Sequence, residues 1–335
     1  MSKNSNLNCF IGIDVSKNTL DFCLKRQDEL SFFKINNTKK DWKSLFSKLK
    51  KIHSLVVNET LFCLENTGDY TNPSLNFLSE IGANIWLEMP IKIKRSSGLN
   101  RLKTDKTDAK MIAEYSERFL DRYRPWKKPR VEVQILKAFF NQREKLVKNL
   151  NQYKSPLKDN EFSSCKEIIK FKKKSFNKII KVLNAELEMV EQEIKALISR
   201  DPRLKELYKI IISVPGIGFV TAVDLIINTN EFININNPKK YACYAGIAPF
   251  EQSSGTAMYK SRVSHMANKN AKKSLHMGAM SAVTCSGELK EYYYRKINQG
   301  KTKMSALNAV RNKIILRVFS CVKRMEIYRK NYKVS

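Results

Sequence analysis

The chain has 335 residues, with 62 Lys and Arg against 32 Asp and Glu, a formal net charge of +30. This length predicts two domains, with one or three also open, and a hydrophobic content of 42% supplies a sizeable core. No run approaches the about 18 apolar residues of a membrane span, and the opening MSKNSNLNCF lacks the long apolar segment of a signal peptide, so the expected location is cytoplasmic.

Taken in order, residues 9–15, 19–25 and 30–35 read as three short strands, with Asn18 and Asp28-Glu29 supplying turn chemistry between them. In the first, Phe10, Ile11, Ile13 and Val15 surround a single carboxylate, Asp14. A charge in such a strand is costly unless compensated. Asp14 therefore binds a metal at the strand end, caps the following turn, or hydrogen-bonds inside the core. Residues 42–52 carry apolar side chains at 42, 45, 46, 49 and 52, the spacing of an amphipathic helix. A fourth strand at 61–64 ends in Glu65, and Thr67-Gly68 forms a turn. A helix at 71–81 has Pro73 in its first turn. A fifth strand at 84–89 closes on Pro90, and the polar stretch KIKRSSGLNRLK follows, with a mobile loop expected at 96–98. A helix then runs from 104 to about 120. This succession over 9–122 is the order of an RNase H-like α/β domain.

Tyr123-Arg-Pro-Trp-Lys-Lys-Pro reads as a linker. Two long helices follow within 130–200, at 131–153 and 166–199. In the second, Phe176, Ile180, Leu183, Leu187, Val190, Ile194 and Leu197 alternate steps of four and three, a heptad. A helical coiled-coil hairpin is expected, as a spacer or a dimerisation arm. The last region, 204–330, is mainly α: helices at 204–212, 222–227, from 238, 270–281 and 305–328, with 246–265 as loop or short hairpin.

Seven cysteines form no C-x-x-C pair, and His53, His265 and His276 stand far apart, which argues against structural zinc. The basic excess calls for a polyanion, usually nucleic acid. A genome biased toward Lys and Asn explains part of it. It does not explain residues 236–335, where 20 basic residues meet only 4 acidic ones.

Three constellations carry chemistry. Asp105 and Asp108, in KTDKTDA, share one face at the start of a helix, where helix capping and the dipole favour acids in any case. In an RNase H-like sheet the first and fourth strands are neighbours, so Asp14 and Glu65 would converge with them. Glu59 competes for that place, but Glu65 directly ends the strand. Four such carboxylates repel unless divalent cations neutralise them, and hard oxygen donors suit Mg²⁺ or Mn²⁺. A pair of such ions assists in-line phosphoryl displacement. The second constellation is Val214-Pro-Gly-Ile-Gly between two helices. Gly216 and Gly218 would turn backbone N–H groups toward a phosphate, as in a helix-hairpin-helix, or serve an ordinary helix turn. The third is Ser253-Ser254-Gly255, near Lys260, Arg262, Lys272 and Lys273. Nothing at motif spacing marks an activating base for a serine there. Lys172, Lys173 and Lys174 form a further basic run, either a solvated face or a phosphate-backbone contact, and Lys17 and Lys103 flank the acidic constellation in sequence.

IGIDVSK, LENTGDY, LKTDKTDAKMIAEY, VPGIGFVTA and YAGIAPFEQSSGT, in this order over residues 9–290, resemble the insertion-sequence-110 transposases and the related pilin-gene invertases. The resemblance implies a resolvase-type (RuvC-type) RNase H-like domain with a DEDD tetrad of Asp14, Glu65, Asp105 and Asp108. It also implies a C-terminal transposase domain whose nucleophile is Ser254, with Ser253 one residue away. The serine would attack a DNA phosphodiester and form a phosphoserine, the metals assisting. A noncoding bridge RNA would pair with donor and target DNA, and dimers would pair into tetramers through the coiled-coil segment. Asn66 stands where the family more often has a small residue.

A junction resolvase or simple nuclease needs the four acids but not Ser254. A sugar-kinase-like ATPase would share GIDVS but needs a second DxGxGT phosphate loop, absent here. A non-catalytic nucleic-acid scaffold needs neither the acids nor the serine.

Overall fold

A computed structural model describes residues 7–96, 98, 104–158, 166–254, 257–264, 266–285 and 287–330. The chain divides into two compact units, residues 1–128 and 129–335.

In the first unit, β1 (Cys9–Val15), β2 (Thr19–Arg26) and β3 (Glu29–Asn36) form an antiparallel meander, followed by α1 (Lys39–Ile52). Then come β4 (Thr60–Glu65), α2 (Asn72–Glu80), β5 (Asn84–Glu88), α3 (Pro90–Ser96) and α4 (Asp105–Arg118). The strand order is β3-β2-β1-β4-β5, with β1, β4 and β5 mutually parallel. Strand β1 is nearly all apolar because both faces of the sheet are covered. Ile11, Ile13 and Val15 share a core with Trp42, Phe46, Leu75 and Phe77 of α1 and α2. Phe10 points the other way, into a core with Trp86, Ile112 and Tyr115. Even-numbered β1 residues, Asp14 among them, therefore face α4.

The polar stretch after Pro90 departs from the expected irregular connection at its start. Pro90 occupies the first position of α3, where its missing N–H costs nothing, and Ile93 is buried beneath it. Residues 97 and 99–103, with Lys103, lie outside the described residues.

In the second unit, α5 (Val131–Lys158) and α6 (Lys166–Arg200) lie side by side, with Arg143 Nε 2.8 Å from Glu191 and the Tyr153 ring edge-on to Phe176. Helix α5 passes through Pro156, beyond its expected end at 153. The carbonyl that Pro156 leaves without an amide partner belongs to exposed Gln152, at a position open to solvent. The heptad of α6 is buried near the base, at Val190 and Ile194, within one core that includes Leu136 and Phe140. Then follow α7 (Pro202–Ile212), α8 (Phe219–Thr229), α9 (Pro238–Tyr244), the antiparallel hairpin β6 (Pro249–Ser254) and β7 (Ala257–Val263), α10 (Lys269–Cys285), α11 (Gly287–Asn298) and α12 (Lys303–Arg324). Helix α11 had no counterpart in the sequence reading. Its three successive tyrosines blur the apolar periodicity, and Leu289 is its only buried residue. Arg130 ties the start of α5 to Asp201, the N-cap of α7, and to buried Glu231, each at 2.8 Å. Among the described residues no helix is long and apolar enough to cross a membrane.

Candidate active site

Strand register sets one row of charged residues across the whole first sheet. Lys34 of β3 stands opposite Asp21 of β2, and Asp21 opposite Asp14 of β1. Ile13 pairs with Leu64, which brings Asp14 beside Glu65 of β4, and Glu65 stands opposite Glu88 of β5. Register partners share a face, so all five side chains lie on the α4 side. Sequence reading missed Asp21 and Glu88. Both end or begin apolar strands in the manner of Asp14 and Glu65, and that signal could have found them.

Helix α4 completes the cluster because Gly12 lets it approach. A Cβ at Gly12 would run into the backbone of Ala109 and Ala113. Those two alanines are fully buried against the strand. Helix–strand contact this close carries the first turn of α4, with Asp105 and Asp108, toward the end of β1 that holds Asp14. Thr104 is the N-cap, accepting from the Thr107 amide in a reciprocal capping box. Neither aspartate is spent on capping. Ser16, not Asp14, closes the turn after β1, accepting from the Thr19 amide at 3.1 Å. Glu59 lies at the opposite end of β4, where Asn8 donates to it.

The outer acids of the row are neutralised. Lys34 Nζ is 3.1 Å from Asp21 and 3.4 Å from Asp105. Buried Glu88 pairs with Lys92 at 2.9 Å and accepts from the Tyr115 hydroxyl and the Met89 amide. Asp14 has no hydrogen-bond partner among the described residues. Burial, then the charges of Asp108, Glu65, Asp105 and Asp21, push its carboxyl up to about 6. Burial, then the charge of Glu88, likewise pushes the Tyr115 hydroxyl upward.

Among the described residues, no three acidic, cysteine or histidine side chains are gathered tightly enough to grip an ion as they stand. Like charges spread apart, and Lys34 draws Asp105 toward Asp21. The donor set nonetheless fits a hard divalent cation: it is all carboxylate oxygen, and the negative charges that load Asp14 are what such a cation would offset.

The remaining expected residues are dispersed. Lys17 is exposed in the β1–β2 turn, and Lys172, Lys173 and Lys174 are exposed on α6. Gly216 (φ +87°) sits between α7 and α8, where a Cβ would strike Gly278 and Ala282 of α10, so close packing requires glycine there. Gly218 precedes α8 with open space around it. Lys272 is half-buried and Lys273 exposed on α10. Ser253 and Ser254 end β6, opposite Met258 and Ala257. For these serines, and for Lys260 and Arg262 on β7, the backbone alone is described, and Gly255 lies outside the described residues.

A mixed five-stranded sheet with acids at adjacent strand ends and two more on a crossing helix is consistent with a DEDD nuclease-like domain. The comparisons agree. A transposase family model of the IS110 DEDD type matches residues 11–159, and a second, "Transposase IS116/IS110/IS902 family", matches residues 208–294. The chain is similar to the pilin gene-inverting proteins of Moraxella bovis and Moraxella lacunata, each 24% identical over 94% of this chain and 96% of the relative. It is 29% identical to an IS110 insertion-element protein of Streptomyces coelicolor, over 35% of this chain and 28% of that one. The chain belongs to the IS110 family of transposases.

Proposed function

We propose that this transposase cuts and rejoins DNA through a covalent serine intermediate, using Asp14, Glu65, Asp105 and Asp108 to hold Mg²⁺ or Mn²⁺. The observation that carries the reading is the delivery of Asp105 and Asp108 onto the row containing Asp14 and Glu65, by the close crossing of α4 over Gly12. A cation held there would place positive charge against the oxygens of a phosphodiester. Ser254 is the nucleophile. Its Oγ forms a bond to phosphorus, the bond from phosphorus to one sugar oxygen breaks, and that oxygen departs as a hydroxyl carrying the proton. Attack by a sugar hydroxyl on the phosphoserine reverses the exchange, so rejoining needs no external energy source.

DNA is the substrate, as inversion of a gene by the Moraxella relatives also entails. Guidance by a noncoding bridge RNA rests on the family resemblance and is supported by the +30 charge. Helices α7 and α8 with Gly216 and Gly218 act as a helix-hairpin-helix on the phosphate backbone. Copies pair through the coiled-coil segment of α5 and α6, outside the face these helices bury against each other, as dimers that join into tetramers. Support for this comes from Phe171, Val182 and Met189, apolar yet 73%, 62% and 50% exposed.

The test uses supercoiled donor and target DNA with the RNA encoded beside the gene. Ser254→Ala is expected to abolish both recombination and the detergent-stable protein–DNA adduct, while Ser253→Ala keeps both. Undiminished strand cleavage by Ser254→Ala would move the reading to a resolvase. Activity that survives both Asp14→Ala and Asp105→Ala would leave only a nucleic-acid scaffold.

A further inference from the structure

Helices α11 and α12 bound a groove of about 400 Å³, within the second unit and lined by none of the expected site residues. On α11 the lining residues Glu288, Leu289, Tyr292 and Arg295 fall on one helical face, and Lys313, Leu316, Arg317 and Ser320 do so on α12. The Tyr292 ring is the centre of the cationic charge. Arg295, Lys296 and Lys313 lie 5.4, 5.7 and 5.5 Å from its centroid. Among the described residues none of these three cations pairs with a carboxylate. The acid in the groove, Glu288, is already engaged: Arg317 lies 2.6 Å from it and the Tyr328 hydroxyl donates to it at 2.8 Å. Three like charges gathered on one ring repel each other, and the ring's π face offsets them only in part.

A ligand that satisfies this groove needs an anionic group for the cations and a flat apolar face for the ring and the leucines. An unpaired nucleotide has both. Its phosphate meets Arg295 and Lys313, and its base stacks with Tyr292 beside partly exposed Leu316 and the buried floor at Leu289. The volume lies in the range of small-ligand sites. A base locked in a duplex cannot present its face in this way. We propose that the α11–α12 groove is a binding site for an unpaired nucleotide of a single-stranded nucleic acid, centred on Tyr292. The chemistry is common to RNA and DNA. It does not depend on Ser254 or on the acidic row.

The test is photocrosslinking of the full-length protein to ten-nucleotide single strands, oligo(U) and oligo(dT), each carrying one 5-iodo base, with adducts mapped by mass spectrometry. An adduct on Tyr292 is expected, with single strands competing for it about tenfold better than a blunt duplex. Oligo(U) alone giving the adduct identifies RNA as the source, and oligo(dT) alone identifies DNA. Tyr292→Leu keeps an apolar side chain between the helices and is expected to weaken single-strand binding about tenfold. Lys313→Glu, on an exposed position, should weaken it by a similar factor. Adducts only elsewhere, equal competition by duplex, or a Tyr292→Leu protein that melts earlier but binds unchanged would each overturn the proposal, the last showing that the ring merely staples two helices.

Discussion

In the first unit five adjacent strands present Lys34, Asp21, Asp14, Glu65 and Glu88 in one row. In the second, cations such as Lys172 and Lys273 stand on separate helices at the ends of long, exposed side chains. The acids are placed by hydrogen-bond register and by the approach of α4 to Gly12, so each has little freedom and a fixed neighbour. The cations are placed by composition: residues 236–335 hold 20 of them against 4 acids. Rigidly placed groups act as a unit, and losing one disables the rest. Dispersed charges act as a sum, and losing one subtracts a fraction.

The sharpest way to break that contrast is Asp14→Asn. It keeps the shape and removes the charge that burial and four acidic neighbours make costly. Recombination measured on a supercoiled substrate should fall about a thousandfold, the scale expected when one member of a concerted group is lost. The melting temperature should hold or rise, because repulsion has been relieved. A loss of both activity and fold would mean that Asp14 is structural.

Gly12→Ala tests the approach that assembles the site. The added methyl meets the α4 backbone at Ala109 and Ala113, and backbone cannot turn aside as a side chain can. The cost should be about 3 kcal/mol, the upper range for overpacking. Activity should fall with it as Asp105 and Asp108 move away from Asp14. Gly82→Ala, at a left-handed turn with open space around it, should cost less and leave activity in place, which calorimetry and the recombination assay can separate.

How much of this was legible beforehand follows the same division. Strands β1 to β5 were readable because a buried sheet needs apolar runs bounded by turns, and an acid at the end of such a run is conspicuous. Gly12 carries no mark of its role in the sequence, since a requirement for glycine depends on what crosses above it. Asp21 and Glu88 also stand near the ends of apolar runs, but register, which spacing along the chain does not show, is what sets them beside Asp14 and Glu65. Thr104 and Ser16 resolved what periodicity had left open, by taking the capping roles from Asp105, Asp108 and Asp14. Ser254 is put forward by the family resemblance alone; a serine closing a two-stranded hairpin has no physical mark of a nucleophile.

A buried acid in the second unit gives a smaller and pH-dependent effect. Asp224 of α8 is 5% exposed. It accepts from Asn228 at 2.7 Å, and Asn228 in turn accepts from Tyr244, whose hydroxyl accepts from Asn268. Burial pushes its carboxyl up to about 7, with the Asn228 bond opposing and the charge of Glu144 adding to the rise. The folded state therefore holds a proton that the unfolded chain releases near 4. Stability from this group declines as pH rises from about 4 to about 7 and is flat above. Asp224→Asn should remove that slope and stabilise the protein at pH 8 by on the order of 3 kcal/mol. Melting curves across pH 4 to 8 would show it. Parallel curves for the two proteins would mean that Asp224 stays charged in its network.

The smallest effect is expected where the contrast predicts subtraction. Lys272→Ala combined with Lys273→Ala removes two cations from the first turns of α10, the helix that follows the β6–β7 hairpin carrying Ser254. Neither lysine forms an ion pair among the described residues, so little folding stability goes with them. Duplex binding should weaken about tenfold at low salt, and the slope of log K against log salt should shrink by about 2, one unit for each lost phosphate contact. The loss should be the same for any DNA sequence, since phosphates carry none. A much larger loss, or one confined to a particular sequence, would place these lysines among the fixed groups, and the second unit would then hold a site as rigid as the acidic row of the first.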